Sequence, residues 1–285
     1  MAEITPQLVK QLRSKTGAGM GDCKKALVEA NGDMEQAVEI LRKKGAASAS
    51  KRSERSANEG IIQAKTNDDG SVGIIVEVNS ESDFVARNEQ FVNYVDTVAN
   101  AVLNNDVENV DQLMQIDIDG TKLQDIHNEI LAKFGEKIEV RRFDKIKSGG
   151  FVTSYIHTGN KLAVLVDASI KDPSERAIEL LRDIAMQIAA MNPTFIDRDS
   201  VPKETIDKEI EIYKEGAIEE GKKPEIAERI AEGKLNKYFQ EACLVEQAFV
   251  KDPNLAVSDV MKEISEEAGS EVKITKFLRY FLGEE

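Results

Sequence analysis

The feature that most restricts this chain is an order of elements written twice. Residues 60–66 and 72–79 are two runs rich in β-formers joined by Asn67-Asp68-Asp69-Gly70, a hairpin signal, and a helical stretch follows over about 89–103. The order then returns: 151–157 and 162–169 flank Thr158-Gly159-Asn160-Lys161, and 174–190 reads as helix with Ile178, Leu181, Ala185 and Ile188 on one face. Each copy closes with a similar strand, 138–146 in the first and 272–281 in the second. Repetition of this kind predicts an α+β protein with two related units, each a small antiparallel sheet covered by helices.

Ahead of the repeat, three short segments carry helical spacing: Leu8, Val9 and Leu12; Met20, Cys23, Leu27 and Ala30; Met34, Ala37, Val38 and Leu41. Breaks at 16–19 and 31–33 separate them. Helices this short do not stand alone, so a compact three-helix bundle is expected. Charge marks its edge. Residues 1–57 hold 11 Lys or Arg against 7 Asp or Glu, a net +4, whereas the rest of the chain is strongly acidic. The Ala-, Ser-, Lys- and Arg-rich stretch 46–58 reads as a linker or weak helix. The expected division is therefore a bundle at 1–46, a linker at 47–58, one unit at 59–147 and a second at 148–201 and 240–285.

Inserted in the second unit, 202–239 reads as a charged helical hairpin turned at Gly221-Lys222-Lys223-Pro224. Ile206, Ile210, Tyr213 and Ala217 step at the mean spacing of a coiled-coil seam, and Ile226, Ile230 and Leu235 answer after the turn. Such an arm can serve docking or homodimer formation, or be a solvated hairpin packed only on itself; the pattern leaves both open.

The formal charge of -14 and pI near 4.9 oppose binding driven by phosphate neutralisation, so nucleic acid is not an expected ligand. No apolar run approaches the roughly 18 residues of a membrane span. The start, Met1-Ala2-Glu3-Ile4-Thr5, lacks the basic and apolar regions of a signal peptide, and a cytoplasmic protein is expected. Cys23 and Cys243, far apart and without neighbouring ligands, are expected as reduced, buried thiols rather than a disulfide or zinc site.

Enzyme signatures are scarce. The two histidines, His127 and His157, are the only imidazoles from which a general base could be drawn, and no nucleophile elbow, Walker loop or zinc-protease helix is present. Gly17-Ala18-Gly19-Met20-Gly21 mimics a dinucleotide fingerprint but follows a helix and lacks the final glycine spacing. His127, within the helical 123–134, reads as a surface or packing residue. More unusual is Glu81-Ser82-Asp83-Phe84-Val85-Ala86-Arg87, between a strand and a helix, where function concentrates. Two readings remain open: Ser82 or Asp83 caps the next helix while Phe84 enters the core, or Phe84 stands exposed beside a carboxylate as a wedge for a partner.

At these residues the sequence resembles bacterial translation elongation factor Ts, and the likeness runs along essentially the whole chain. Leu8-Val9-Lys10, Thr16-Gly17-Ala18-Gly19-Met20 and Asp22-Cys23-Lys24-Lys25-Ala26-Leu27 resemble the family's N-terminal ubiquitin-associated-like domain; Ser82-Asp83-Phe84-Val85-Ala86 resembles its Thr-Asp-Phe-Val-Ala signature; Ser154-Tyr155-Ile156-His157, Gly159 and Ala163-Val164-Leu165-Val166 resemble a strand of its second half. The resemblance implies a nucleotide exchange factor for the GTPase elongation factor Tu, with no covalent chemistry and no cofactor or metal of its own. By the same analogy Asp83 and Phe84 enter the GTPase near its magnesium and phosphate site, with Ser82, Val85 and Ala86 completing the loop. Leu12 and Met20 would form an apolar docking face, and Tyr155 and His157 would touch the partner on a second surface. Departures are Gly21, where the family often has a second methionine, and Ser82, which keeps the hydroxyl of the commoner threonine. The chain also stops at Leu282-Gly283-Glu284-Glu285, so contacts made by the further helical segment of some members are expected to be absent. Two other classes compete with exchange: a non-catalytic scaffold that tolerates loss of Phe84, and a hydrolase in which His157 and Asp83 form the acid-base pair.

Overall fold

The computed structural model describes residues 4–16, 18–52 and 55–284. Gly17 of the glycine-rich turn, residues 1–3 of the N-terminal reading and residues 53–54 of the linker lie outside the described residues. Helices α1 (Pro6–Thr16), α2 (Met20–Glu29) and α3 (Met34–Arg52) open the chain. Thr5 Oγ1 accepts the Leu8 amide and Asp33 Oδ1 accepts those of Glu35 and Gln36, so polar side chains satisfy the first turns of α1 and α3. Val9, Leu12, Cys23, Ala26, Leu27, Ala37 and Leu41 meet in their common core. The third helix does not stop at the composition change but runs on to Arg52, as its alanines and lysines favour.

The first unit pairs β1 (Glu59–Thr66) antiparallel with β2 (Val72–Ser80), from Glu59 opposite Ser80 to Thr66 opposite Gly73. Asn67 Oδ1 accepts the Val72 amide and Gly70 takes φ 68, which closes the hairpin. Then follow α4 (Asp83–Ala86), α5 (Glu89–Asn104), α6 (Val110–Met114), the small β3 (Asp117–Ile118) and β4 (Thr121–Lys122) hairpin, α7 (Leu123–Phe134) and β5 (Ile138–Lys147), which returns beside β2. The second unit repeats this scheme. Strands β6 (Phe151–Ile156) and β7 (Leu162–Ala168) form its hairpin and α8 (Glu175–Met191) covers it. The inserted arm is α9 (Lys203–Glu219) and α10 (Pro224–Ala242). After a single 3-10 turn and the short β8 (Ala248–Phe249) and β9 (Asp252–Ala256), helix α11 (Val257–Ala268) leads to β10 (Ile274–Phe281), which pairs with β7. Sheet orders β1-β2-β5 and β6-β7-β10 are therefore the same arrangement twice, and the α+β class is as expected.

Period-two alternation explains how the units join. On β2, Ile74, Val76 and Val78 face the helices of their own unit, while Ile75 faces the other sheet; on β7, Val164 and Val166 take the first role and Ala163 and Leu165 the second. The two sheets thus stack back to back. Gly73 marks a close approach, since a β-carbon there would lie 2.5 Å from Val152 Cγ1. Fully buried Glu77 anchors a polar edge of the same layer: it accepts from Arg142 Nε at 2.8 Å and from the Gly283 amide at 3.3 Å, tying the end of the chain to the first sheet.

In the arm, Ala217, Ala227 and Ala231 are buried between α9 and α10, with Lys214 paired to Glu228 at 2.7 Å across them. Ile226, expected in the seam, is 48% exposed. The small side chains of Ala227 and Ala231 occupy the contact line and turn Ile226, in the first turn of α10, outward. No helix among the described residues is long and apolar enough to cross a membrane.

Candidate functional site

Strand β2 ends at Ser80, and the chain enters the four-residue α4 through Ser82, whose extended backbone (φ -123, ψ 153) and hydroxyl cap the turn by accepting the Val85 amide at 3.4 Å. Asn88 then caps α5, its Oδ1 taking the Gln90 amide at 3.0 Å. Two caps in seven residues leave little freedom in the backbone between them. Val85 and Ala86 root this turn in the core of the first unit, yet Phe84, between Asp83 and Val85, is 84% exposed. Burying a phenylalanine is worth about 2 kcal/mol, so the fold forgoes that much by keeping the ring in water. Asp83 Oδ2 pairs with Arg87 across one turn at 3.1 Å, an exposed contact that a partner's charge can displace at small cost. Of the two open readings, the Ser82 hydroxyl caps the short α4 while Asn88 caps the expected helix α5, and the ring does not enter the core.

A second segment leaves the molecule at the same end. In the β6–β7 turn the Asn160 carbonyl accepts the Ile62 amide at 2.7 Å, and Lys161 pairs with Glu59 at 2.7 Å. Glu59 itself stands opposite Ser80, from which the Phe84 loop departs. At the start of that turn the Tyr155 hydroxyl and His157 Nδ1 lie 2.9 Å apart, with Tyr155 half-buried and His157 exposed. A groove of about 570 Å³ lined by Tyr155, Arg176, Arg182 and Lys251 opens beside Tyr155.

In the N-terminal bundle the two expected docking residues part company. Leu12 is fully buried in the three-helix core, so it supports a surface only from beneath, because a bundle this small needs its largest aliphatic groups inside; Met20 is 49% exposed. The bundle rests on α7 through Arg42 and Glu129, 3.0 Å apart.

His127 is no part of this surface. It is buried, its Nδ1 meets the Tyr94 hydroxyl at 2.6 Å, and burial holds its pKa down at about 4. Both cysteines are buried as free thiols, and among the described residues no group of three or more His, Cys, Asp or Glu is placed to hold a metal ion. Sequence reading missed the acidic residues behind the loop. Glu136 accepts both the Ser82 amide (3.0 Å) and the Ser82 hydroxyl (2.8 Å), and Glu81 accepts the Lys137 amide and pairs with Arg55. They act across 26 to 56 residues, and no local spacing signals the pairing.

A presented aromatic ring, a loosely held carboxylate and a second exposed patch at one end of a rigid sandwich suit contact with a macromolecule better than turnover of a small one. Comparison with known proteins agrees with this architecture. The sequence model of a family described as "Elongation factor TS" matches residues 81–284. Among similar proteins, elongation factor Ts of Chlorobium phaeobacteroides (strain BS1) is 46% identical over 288 residues, covering 99% of this chain and 100% of its own. That of Clostridioides difficile (strain 630) is 45% identical over 285 residues, covering 100% and 94%, and that of Chloroherpeton thalassium is 46% identical over 289 residues, covering both chains fully. With its doubled unit, its capped Phe84 turn and this likeness along its whole length, the chain belongs to the elongation factor Ts family.

Proposed function

We propose that the protein is a cytoplasmic guanine nucleotide exchange factor that speeds GDP release from the GTPase elongation factor Tu, and that it makes or breaks no covalent bond itself. The observation that carries this is the 84% exposure of Phe84 on a turn rooted by buried Val85 and Ala86 and capped by Ser82. In this mechanism Phe84 wedges between elements that carry the partner's magnesium ligands and Asp83, released from Arg87, rearranges their hydrogen bonds. Tight nucleotide binding depends on magnesium bridging phosphate to protein, so disturbing that site loosens the nucleotide. Linkage makes the effect mutual: the factor weakens GDP by the same ratio as GDP weakens the factor, and the more abundant nucleotide rebinds.

Met20 on the basic N-terminal bundle would meet the GTPase first, with charge speeding encounter, and Tyr155 and His157 would hold a second face. The bundle 1–46, linker 47–58, core units 59–147 and 148–201 with 240–285, and arm 202–239 would be its working parts. The arm carries half-exposed Ile212, Ile218 and Ile226 and would serve assembly, either of two copies or of the complex. The deciding experiment mixes the protein with elongation factor Tu loaded with fluorescent GDP in a stopped-flow instrument. Faster release with wild type, lost with Phe84→Ala or Asp83→Ala, supports exchange. Unchanged release at saturating protein, with binding intact, leaves only a scaffold.

A further inference from the structure

We infer that Glu136 is a positioning residue for the Phe84 turn, an inference that rests on the exchange reading. A helix of four residues does not hold itself together, because it closes too few hydrogen bonds to offset the order it needs. Here α4 consists of Asp83–Ala86, and its shape is imposed from outside.

Helix α7 ends at Gly135 in the left-handed conformation (φ 71, ψ 9), its amide returning to the Leu131 carbonyl, and this sharp exit delivers Glu136 to the start of the loop. The carboxylate then grips Ser82 twice: Oε2 takes the backbone amide at 3.0 Å and Oε1 takes the hydroxyl at 2.8 Å. A serine hydroxyl has a single proton to give. With that proton committed to Glu136, the oxygen's lone pairs are left to receive the Val85 amide at 3.4 Å, which is the cap of α4. The Ser82 carbonyl is held in turn by the Ser80 hydroxyl at 3.0 Å. Amide, hydroxyl and carbonyl of Ser82 are thus all engaged, and the residue after next is Phe84. One carboxylate sets the direction in which the turn presents Asp83 and Phe84, although Glu136 need not touch a partner.

Two acceptor oxygens are required for this grip. Glutamine offers one, uncharged, and turns its amide nitrogen toward the Ser82 hydroxyl, which must reverse to accept it, so Glu136→Gln replaces a charge-assisted clamp with a weaker neutral one while keeping size and shape. Ser82→Thr keeps the hydroxyl and with it the clamp.

The test has two arms. In stopped-flow release of fluorescent GDP from elongation factor Tu, Glu136→Gln and Ser82→Ala should each lower the maximal release rate about tenfold, as misplacement of a working group does. The half-saturating factor concentration should stay within about threefold of wild type, the signature of a step lost after binding. The double variant should be little worse than either single one, and Ser82→Thr should match wild type. In the free chain, hydrogen exchange at the amides of Ala86 and Arg87, bonded to the carbonyls of Ser82 and Asp83, should quicken about tenfold in Glu136→Gln, while Val95 and Val98 in α5 remain protected. A maximal rate for Glu136→Gln within about twofold of wild type, under conditions where Phe84→Ala abolishes acceleration, overturns the proposal; so does unchanged exchange at Ala86 and Arg87. Failure of the wild-type protein to accelerate release instead overturns the exchange reading, and the hydrogen-exchange arm then judges the clamp by itself.

Discussion

Acid should weaken the first unit through His127. The imidazole is 9% exposed, its Nδ1 shares a hydrogen bond of 2.6 Å with the Tyr94 hydroxyl, and burial lowers its pKa from 6.5 to about 4 while raising that of Tyr94. A base with a folded pKa below its unfolded value takes up its proton first in the unfolded chain. Its contribution to stability is therefore complete above the unfolded pKa and is lost as the pH falls from 6.5 toward 4. At about 1.36 kcal/mol per pKa unit, the loss from this one group amounts to about 2 kcal/mol by roughly pH 5. Carboxylates titrate in the same range, so the quantity to follow is a difference. Native-state hydrogen exchange at the Val95 and Val98 amides, in the core that holds the pair, gives the opening free energy of wild type and of His127→Gln. The stability gap between them should shrink by about 2 kcal/mol between roughly pH 7.5 and pH 5. A gap constant to within about 0.5 kcal/mol would show that this histidine titrates normally and that the burial argument is wrong.

Other consequences follow from the packing. Phe84→Ala should leave thermal stability unchanged within about 0.5 kcal/mol, whereas Phe91→Ala, which empties a fully buried site, should cost about 3–5 kcal/mol by calorimetry or denaturant unfolding. Gly73→Ala places a methyl 2.5 Å from Val152 Cγ1 and should destabilise by about 1–3 kcal/mol, with partial recovery when combined with Val152→Ala. Glu77→Ala removes the buried partner of Arg142 and should cost about 3 kcal/mol, with the amide of Gly283 losing protection against hydrogen exchange.

Much of this architecture is legible in the sequence because it is carried by periodicity and turn chemistry. The helix expected at 123–134 is α7 with the same limits, and the hairpin at Asn67-Asp68-Asp69-Gly70 closes between β1 and β2. Those signals act over a few residues. Other features depend on what packs where. An apolar stripe on α1 looks the same whether it faces a bundle core or a partner, and the bundle claimed Leu12. Helical spacing in the arm fits Ile226 as well as Ala227, and close helix contact selected the alanine. Glu77 reads as a polar position in an apolar strand; a charge is tolerated there because Arg142 on the adjoining β5 and Gly283 beyond β10 arrive from distant parts of the chain. At the site, the Ser82-Asp83-Phe84 segment stands out by its residue types, while the exposure of its ring and the grip of Glu136 emerge only in three dimensions.

The central claim concerns a metal in another molecule, and removing that metal tests it. Release of fluorescent GDP from elongation factor Tu, with and without saturating factor, should be timed once in excess magnesium and once with magnesium chelated. If Phe84 and Asp83 act on the ion's site, chelation does part of their work beforehand, and the acceleration given by the factor should fall by about an order of magnitude or more. An acceleration of equal size in both conditions would contradict the mechanism.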